Sequence, residues 1–170
     1  GIVAIGMTVA LVLGGFDLSV GSVLALAGVV AGGLYLNGIN IWLAVAIALL
    51  VGMICGLING YFIGRVGLNP LITTLGMMGI ARGAAYVCTQ GSPLSLSGTD
   101  PVFLFLGSGS ILGIPVMVLI LAVLAAAGDF LLRRSTAMRK VFYVGSNEKA
   151  AILSGINVKR VKLWVYFLVA

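Results

Sequence analysis

The chain has 170 residues, of which 61% are hydrophobic and 8% are charged, with a formal net charge of +6. A soluble domain carries about 25% charged residues, so this composition indicates a protein whose solvent is the lipid bilayer. The chain has no His, and its two cysteines, Cys55 and Cys88, lie far apart. The composition therefore disfavours zinc sites, His-based metalloproteases and disulfide frameworks, and with them most soluble enzymes.

Four apolar stretches are long enough to cross a membrane. A helix that spans about 30 Å of hydrocarbon needs about 20 apolar residues, with a range of about 17–25. The stretches of this length are Leu18–Leu36, Ile41–Gly64, Leu71–Val87 and Ile111–Leu132. Gly1–Gly15 and Leu163–Ala170 are further apolar stretches cut by the chain ends, so we expect a piece of a longer protein. The predicted fold class is all-α: a polytopic transmembrane helix bundle that forms a single domain over residues 1–170.

The charges are concentrated in one segment. Residues 133–162 carry eight basic residues and one acid, Glu148, a balance of +7, and the rest of the chain sums to −1. A basic loop between two apolar stretches is typical of a cytoplasmic loop, so the segment predicts membrane orientation and disfavours a nucleic-acid site.

This orientation predicts the side of every other loop. The Cys88–Ser110 loop and the Asn37–Asn40 turn fall outside, and Arg65 falls inside. Gly1–Gly15 would enter from outside and turn near Asp17, or it would belong to one broken helix through Gly14–Gly21.

Glycines recur every four residues on the second complete span, at Gly52, Gly56, Gly60 and Gly64. This spacing lets a neighbouring backbone approach closely, as in GxxxG contacts. Two shorter pairs repeat it: Gly28 with Gly32, and Gly79 with Gly83. We therefore expect a compact bundle.

Polar side chains inside apolar stretches are costly and mark a pathway, a pairing or a cap. Asp17, with Ser19, can cap the helix that follows or can belong to a pathway, and both interpretations stay open. Arg82 lies 12 residues beyond Pro70, about 18 Å along a helix, and so cannot reach the inner surface of the membrane. Its side chain must therefore pair with an acid, line a water-filled path or extend to the outer surface. Asp129 and Arg133 have the spacing of a surface ion pair. Further candidates for a pathway or for interhelical hydrogen bonds are Asn59, Asn69, Thr73, Thr74, Thr89 and Gln90.

A short helix is predicted within the basic segment, over residues 146–155. Ser146 or Asn147 can accept a hydrogen bond from a free backbone N–H at the N-terminus of this helix. Glu148 suits the positive end of the helix dipole, and Gly155 can take a left-handed conformation after the last turn. So short a helix is not stable alone in water, so we expect it to dock on its own bundle or on a partner.

Three separated groups of residues carry a family resemblance. They are Gly15 and Asp17–Ser22; Asn59-Gly60, Pro70, Thr74-Leu75-Gly76, Arg82-Gly83, Thr89, Gly91 and Pro93; and Arg133-Arg134, Arg139, Gly145, Asn147-Glu148, Ala150-Ala151 and Ser154–Val158. In combination they resemble the permease subunit of bacterial ATP-binding-cassette (ABC) importers for monosaccharides, the ribose, xylose, galactose and autoinducer branch. Met138 and Ser146 depart from the resemblance, because Gly is expected there. The chain would be about half of such a permease.

The resemblance implies an import subunit in the bacterial cytoplasmic membrane, with no cofactor of its own. The chain lacks a GxxxxGK[ST] phosphate loop, so a partner ATPase would bind and hydrolyse ATP. The other implied partners are a second permease copy, identical or not, and an extracytoplasmic sugar-binding protein. Residues 133–162 would be the coupling loop, and the residues expected to couple to the ATPase are Asn147, Glu148, Lys149, Ala150, Ala151, Ser154 and Gly155. The candidate pathway residues are Asp17, Ser19, Asn59, Thr74, Arg82 and Thr89.

Three other classes of protein share some of these sequence features. An ion- or proton-coupled secondary transporter also uses broken helices and intramembrane polar groups, and it is the main alternative. A membrane enzyme is disfavoured, since the chain has no His and its acids are isolated. A structural membrane scaffold is the remaining class.

Overall fold

The computed structural model describes residues 1–96 and 100–170, and these residues form a helical bundle. The elements in chain order are α1 (Ile2–Val12), α2 (Val20–Leu36), α3 (Ile41–Tyr61) with a π-helical continuation (Phe62–Val66), α4 (Pro70–Thr89), α5 (Pro101–Ser108), β1 (Ser110–Ile111), β2 (Ile114–Pro115), α6 (Val116–Arg134), α7 (Thr136–Ser146), α8 (Glu148–Leu153) and α9 (Val158–Val169). The two strands form one short antiparallel hairpin. The all-α prediction is confirmed.

Within the described residues, three helices are long and apolar enough to cross a membrane: Ile41–Val66, Pro70–Thr89 and Val116–Arg134. The stretch expected over Leu18–Leu36 forms the 17-residue α2, at the lower limit for a span. The expected start of α6 at Ile111 was wrong by five residues. Leu112 and Gly113 have positive φ and form the hairpin turn, so the helix begins only after Pro115.

The bundle has two apolar clusters of buried residues, and α3 lies between them. One cluster joins α1, α7, α8 and α9 around the buried Tyr166. The other joins α2 and α4 to Cys55 of α3. Because α3 packs on both α2 and α9, a shift of α9 would change the packing of both clusters.

The contacts define two ends of the bundle. A Cβ at Gly64, next to Arg65, would lie 2.7 Å from the Lys159 carbonyl oxygen, so Arg65 and the basic segment share one end. Asn40 and Asp100 line one depression at the other end. The Asn37–Asn40 turn is therefore remote from the basic segment, as the charge pattern predicts.

The course of α1 agrees with a turn near Asp17. Gly1 lies against Leu121, in the first half of α6, and Gly145 at the end of α7 lies against Val12. Thus α1 runs in the same direction as α6 and reaches the basic end. The chain then reverses into α2, so the single broken helix through Gly14–Gly21 is not what the structure contains.

Residues 133–162 are more helical than the sequence interpretation expected, since only a short helix over residues 146–155 was predicted within them. The segment holds the end of α6, all of α7 and α8, and the start of α9. Val141, Val144 and Ala151 from this segment are buried against the rest of the bundle. The Cys88–Ser110 region likewise contains α5, which begins at Pro101 after Asp100 accepts a capping bond from Val102.

Candidate functional site

A buried polar cluster joins the start of α2 to α3. Asp17 is 2% exposed, and Ser19 and Asn59 are fully buried. Asp17 Oδ1 accepts from the Ser19 backbone N–H at 2.8 Å and from the Ser19 hydroxyl at 2.5 Å. The Asn59 amide nitrogen donates to Ser19 Oγ at 3.1 Å. These bonds tie two distant parts of the sequence together.

Two acceptors of this cluster have no donor among the described residues: Asp17 Oδ2 and Asn59 Oδ1. The capping interpretation holds only for the Asp17 carboxylate, which accepts the N–H of Ser19, the residue before α2. The Ser19 hydroxyl makes no capping bond to the first turn; it donates to Asp17, and its oxygen accepts from the Asn59 amide.

The other predicted polar candidates do not join this cluster. Thr74 is fully buried, but its hydroxyl donates to the Pro70 carbonyl of its own helix at 2.9 Å. Thr89 likewise donates to the Ala85 carbonyl at 3.1 Å. Arg82 is exposed in this chain, and the described residues include no acid within ion-pair distance of it. Asn69 caps α4 by accepting from the Leu71 N–H.

The four-residue glycine repeat of α3 faces α9. A Cβ at Gly56 would lie 2.5 Å from the Tyr166 carbonyl oxygen, and one at Gly60 would lie 2.7 Å from that of Leu163. Gly52 and Gly64 meet Ala170 and Lys159 in the same way. The shorter repeats behave differently: within the described residues, Cβ atoms at Gly28, Gly79 and Gly83 would meet nothing within 4 Å, and one at Gly32 would lie 3.2 Å from the Leu94 side chain and not against a helix backbone.

The short helix predicted in the basic segment is α8. Asn147 is its N-cap, accepting from the Ala150 N–H at 3.0 Å, and Gly155 follows it with φ +79°. Glu148 in the first turn forms an ion pair with Lys162 of α9. The Ser154 hydroxyl donates to the Ala150 carbonyl. Capping and the ion pair thus hold this single-turn helix in place.

The two alanines of α8 differ in exposure, because they lie on different sides of the helix. Ala151 is 3% exposed and packs in the cluster around Tyr166, so its side chain faces the bundle in this chain, and its expected role in coupling to an ATPase stays a prediction. Ala150 and Lys149 are exposed. Successive residues are 100° apart on a helix, so anchoring Ala151 turns its neighbours outward.

Sequence reasoning missed the two largest apolar groups on this surface, Ile152 and Leu153. Leu153 is 89% exposed, and Ile152 is 57% exposed. The available signal was the run of four consecutive apolar residues, Ala150–Leu153, which cannot all face one side of a helix. We call Lys149, Ala150, Ile152 and Leu153 the α8 surface.

The described ranges 1–96 and 100–170 contain no group of three or more His, Cys, Asp or Glu side chains that could hold a metal ion. The described residues form a helical bundle with three long apolar helices, a buried polar cluster and a short helix at the basic end. They define a polytopic integral membrane protein.

The whole chain, residues 1–170, matches the family described as the permease component of branched-chain amino acid transport systems, and it belongs to that family. It is 37% identical to the ribose import permease of Haemophilus influenzae over 97% of this chain and 52% of that protein. It is 40% identical to the fructose import permease of Bifidobacterium longum, over 96% of this chain and 47% of that protein. The L-arabinose ABC transporter permease of Azospirillum brasilense is 39% identical, over 99% of this chain and 49% of that protein.

The chain therefore spans about half the length of the curated relatives it matches. These matches confirm the family resemblance that the three motif groups predicted. No solved structure matches this chain.

Proposed function

We propose that the chain is half of the membrane-spanning subunit of an ATP-driven importer, and that the importer carries a monosaccharide such as ribose. The support is its membership of a permease family together with relatives named for the import of ribose, fructose and L-arabinose. In this proposal the chain performs no chemistry, and a partner subunit hydrolyses ATP.

The observation that carries the proposal is the α8 surface. Two apolar side chains project from a helix whose opposite side, Ala151, is anchored in the bundle. Exposed apolar groups on a basic, water-facing segment favour a protein partner. The proposed partner is a cytoplasmic ATPase that receives Ile152 and Leu153 in a cleft.

The proposed orientation places residues 133–162 in the cytoplasm of a bacterium, with the bundle in its cytoplasmic membrane. A second permease copy would complete the pathway, and an external sugar-binding protein would deliver the sugar to the end that carries Asn40 and Asp100. The polar cluster lies near the α9 face of α3, where it would stabilise one of two arrangements of the bundle. Such a switch requires contacts that differ between the two arrangements.

The test compares two exposed leucines at opposite ends of the full-length permease, expressed with its ATPase. Leu153→Asp is expected to reduce co-purification of the ATPase by more than tenfold, because an interface anchor contributes about 2 kcal/mol or more. Leu112 is 97% exposed at the other end, so Leu112→Asp is the matched control and should leave co-purification unchanged. Equal co-purification of both variants with the ATPase would contradict the proposed docking.

Uptake in proteoliposomes tests the energy source. Uptake of sugar by an ATP-driven importer requires ATP on the side of the membrane where α8 lies. This uptake continues when the ion gradient is collapsed. The relatives do not favour the ion- or proton-coupled alternative, which predicts the opposite: uptake without ATP that stops when the gradient is lost.

A further inference from the structure

A groove of about 650 Å³ lies between α7, the turn after α8, and α9. This volume is within the range of about 300–1,000 Å³ typical of sites for small ligands. Its apolar wall includes Val141 of α7 and Val161, Val165 and Leu168 of α9. It therefore extends from the charged end of the bundle along the apolar part of α9.

Two basic side chains, Lys140 and Arg160, line the same groove. Neither forms an ion pair in the described residues, where the pairs are Arg133 with Asp129 and Lys162 with Glu148. The groove thus combines an apolar wall with two cations that have no acidic partner. A ligand that satisfies both features has an anionic head and an apolar body.

Aromatic residues place this groove at the level of a membrane interface. Trp164, which lines the groove, is 61% exposed, and Phe142 and Tyr143 are exposed on the adjacent α7. Trp and Tyr concentrate where hydrocarbon meets headgroups, and α7 has buried apolar residues on one side and Arg139 and Lys140 on another. Basic pockets between helices at this level bind anionic headgroups.

We propose that the groove binds an anionic phospholipid of the surrounding membrane. The headgroup phosphate contacts Lys140 and Arg160, and an acyl chain lies along Val161, Trp164 and Leu168. The lipid then bridges α7 and α9, the helices on either side of the α8 helix. Lys140 and Arg160 are not among the residues expected to couple to the ATPase, although Ser154 and Gly155, which are, also line the groove.

Native mass spectrometry of the full-length permease tests the site. The protein is exchanged into phosphatidylglycerol or into phosphatidylcholine with the same acyl chains, and retained lipids are counted. We expect one tightly retained phosphatidylglycerol. Lys140→Gln with Arg160→Gln should weaken its retention about 25-fold, because each basic residue at an anionic surface contributes about fivefold in affinity.

Two further variants separate a built site from a generally basic surface. Arg134→Gln with Lys159→Gln removes the same charge from exposed positions outside the groove lining and should leave retention unchanged. Ala137→Trp keeps the charge but occupies part of the groove from an exposed lining position, so it should weaken retention.

Equal losses in the two charge pairs, or equal retention of both lipids, would overturn the proposal. Absence of any retained lipid would overturn it too, since the groove would then be covered by other parts of the permease. Failure of the ATPase docking test would leave this result unaffected, because lipid retention is measured without the ATPase.

Discussion

Lys162 Nζ lies 2.8 and 2.9 Å from the two carboxylate oxygens of Glu148, and this ion pair ties α8 to α9. Ala151 anchors the other side of α8 in the cluster that contains Tyr166 of α9. In turn, α9 packs on the glycine face of α3, which carries Asn59 of the polar cluster. The α8 helix is therefore connected through α9 and α3 to the hydrogen bond between Asn59 and Ser19.

If the chain couples to an ATPase as proposed, loss of this ion pair should impair the coupling. In the full-length permease, Lys162→Gln should lower the sugar transported per ATP hydrolysed by about twofold to fivefold, because α8 would then move without drawing α9. The pair is partly exposed, so its contribution to folding is at most about 1 kcal/mol and the protein should stay folded. Uptake and ATPase rates measured in one preparation give the ratio.

A charge reversal controls this experiment. Glu148→Lys with Lys162→Glu restores the pair and should recover part of the ratio. Recovery is incomplete, because a cation in the first turn of α8 opposes the helix dipole. An unchanged ratio in Lys162→Gln would show that α8 transmits its movement by another contact.

The close contact between the glycine repeat of α3 and the backbone of α9 predicts a limit on side-chain size at Gly60. A Cβ there would lie 2.7 Å from the carbonyl oxygen and 2.8 Å from the Cα of Leu163. Gly60→Ala should therefore cost about 2 kcal/mol of stability, since backbone cannot move aside as a flexible side chain can. Gly79→Ala, where a Cβ meets no described atom, should gain up to about 1 kcal/mol from helix propensity. Unfolding of both full-length variants in mixed micelles measures the difference, and equal losses would refute the close-packing argument.

The polar cluster predicts that Asp17 tolerates an isosteric amide better than an apolar residue. Asp17→Asn keeps an acceptor for the Ser19 N–H, whereas Asp17→Leu leaves the buried Ser19 N–H and hydroxyl without one. The leucine variant should lose about 2–3 kcal/mol in the same unfolding assay, and the asparagine variant less than about 1 kcal/mol.

The Asp17→Asn variant also decides whether the carboxylate has a structural role or belongs to the transport pathway. If Asp17→Asn folds normally and still transports sugar, the carboxylate serves the turn before α2. If it folds normally but loses uptake, the negative charge itself belongs to the pathway.

The N-cap of α8 predicts a local loss of order. Asn147→Ala removes the acceptor for the Ala150 N–H, which costs about 1 kcal/mol in a helix of six residues. Hydrogen exchange of α8 amides in the full-length permease should become about fivefold faster, since 1.4 kcal/mol corresponds to tenfold. Ser135→Ala removes the equivalent cap of α7 and is the control for an effect confined to α8. Unchanged exchange at Ala150 would contradict the capping role.

The amino-acid order predicts the helices because their signals are local. Apolar length marks α3 and α4, Asn147 and Gly155 bracket α8, and the charge pattern separates the two ends of the bundle. The boundaries that failed had non-local or turn-specific causes. Leu112 adopts a positive φ only because the hairpin before α6 requires it, and the basic segment became helical because α7 can bury Val141 and Val144 against other helices.

Composition, charge asymmetry and motifs can be read from the sequence without the structure. Together they determined that this is a polytopic membrane protein of a permease family. Only the tertiary structure decided which side of α8 is anchored and which is free. Ala150 and Ala151 are chemically identical, and their difference arises because α7 and α9 cover one of them and not the other. In the same way, Asp17 and Asn59 are distant in sequence and meet only because α2 packs against α3, so their shared hydrogen bonds to Ser19 could not be inferred from spacing.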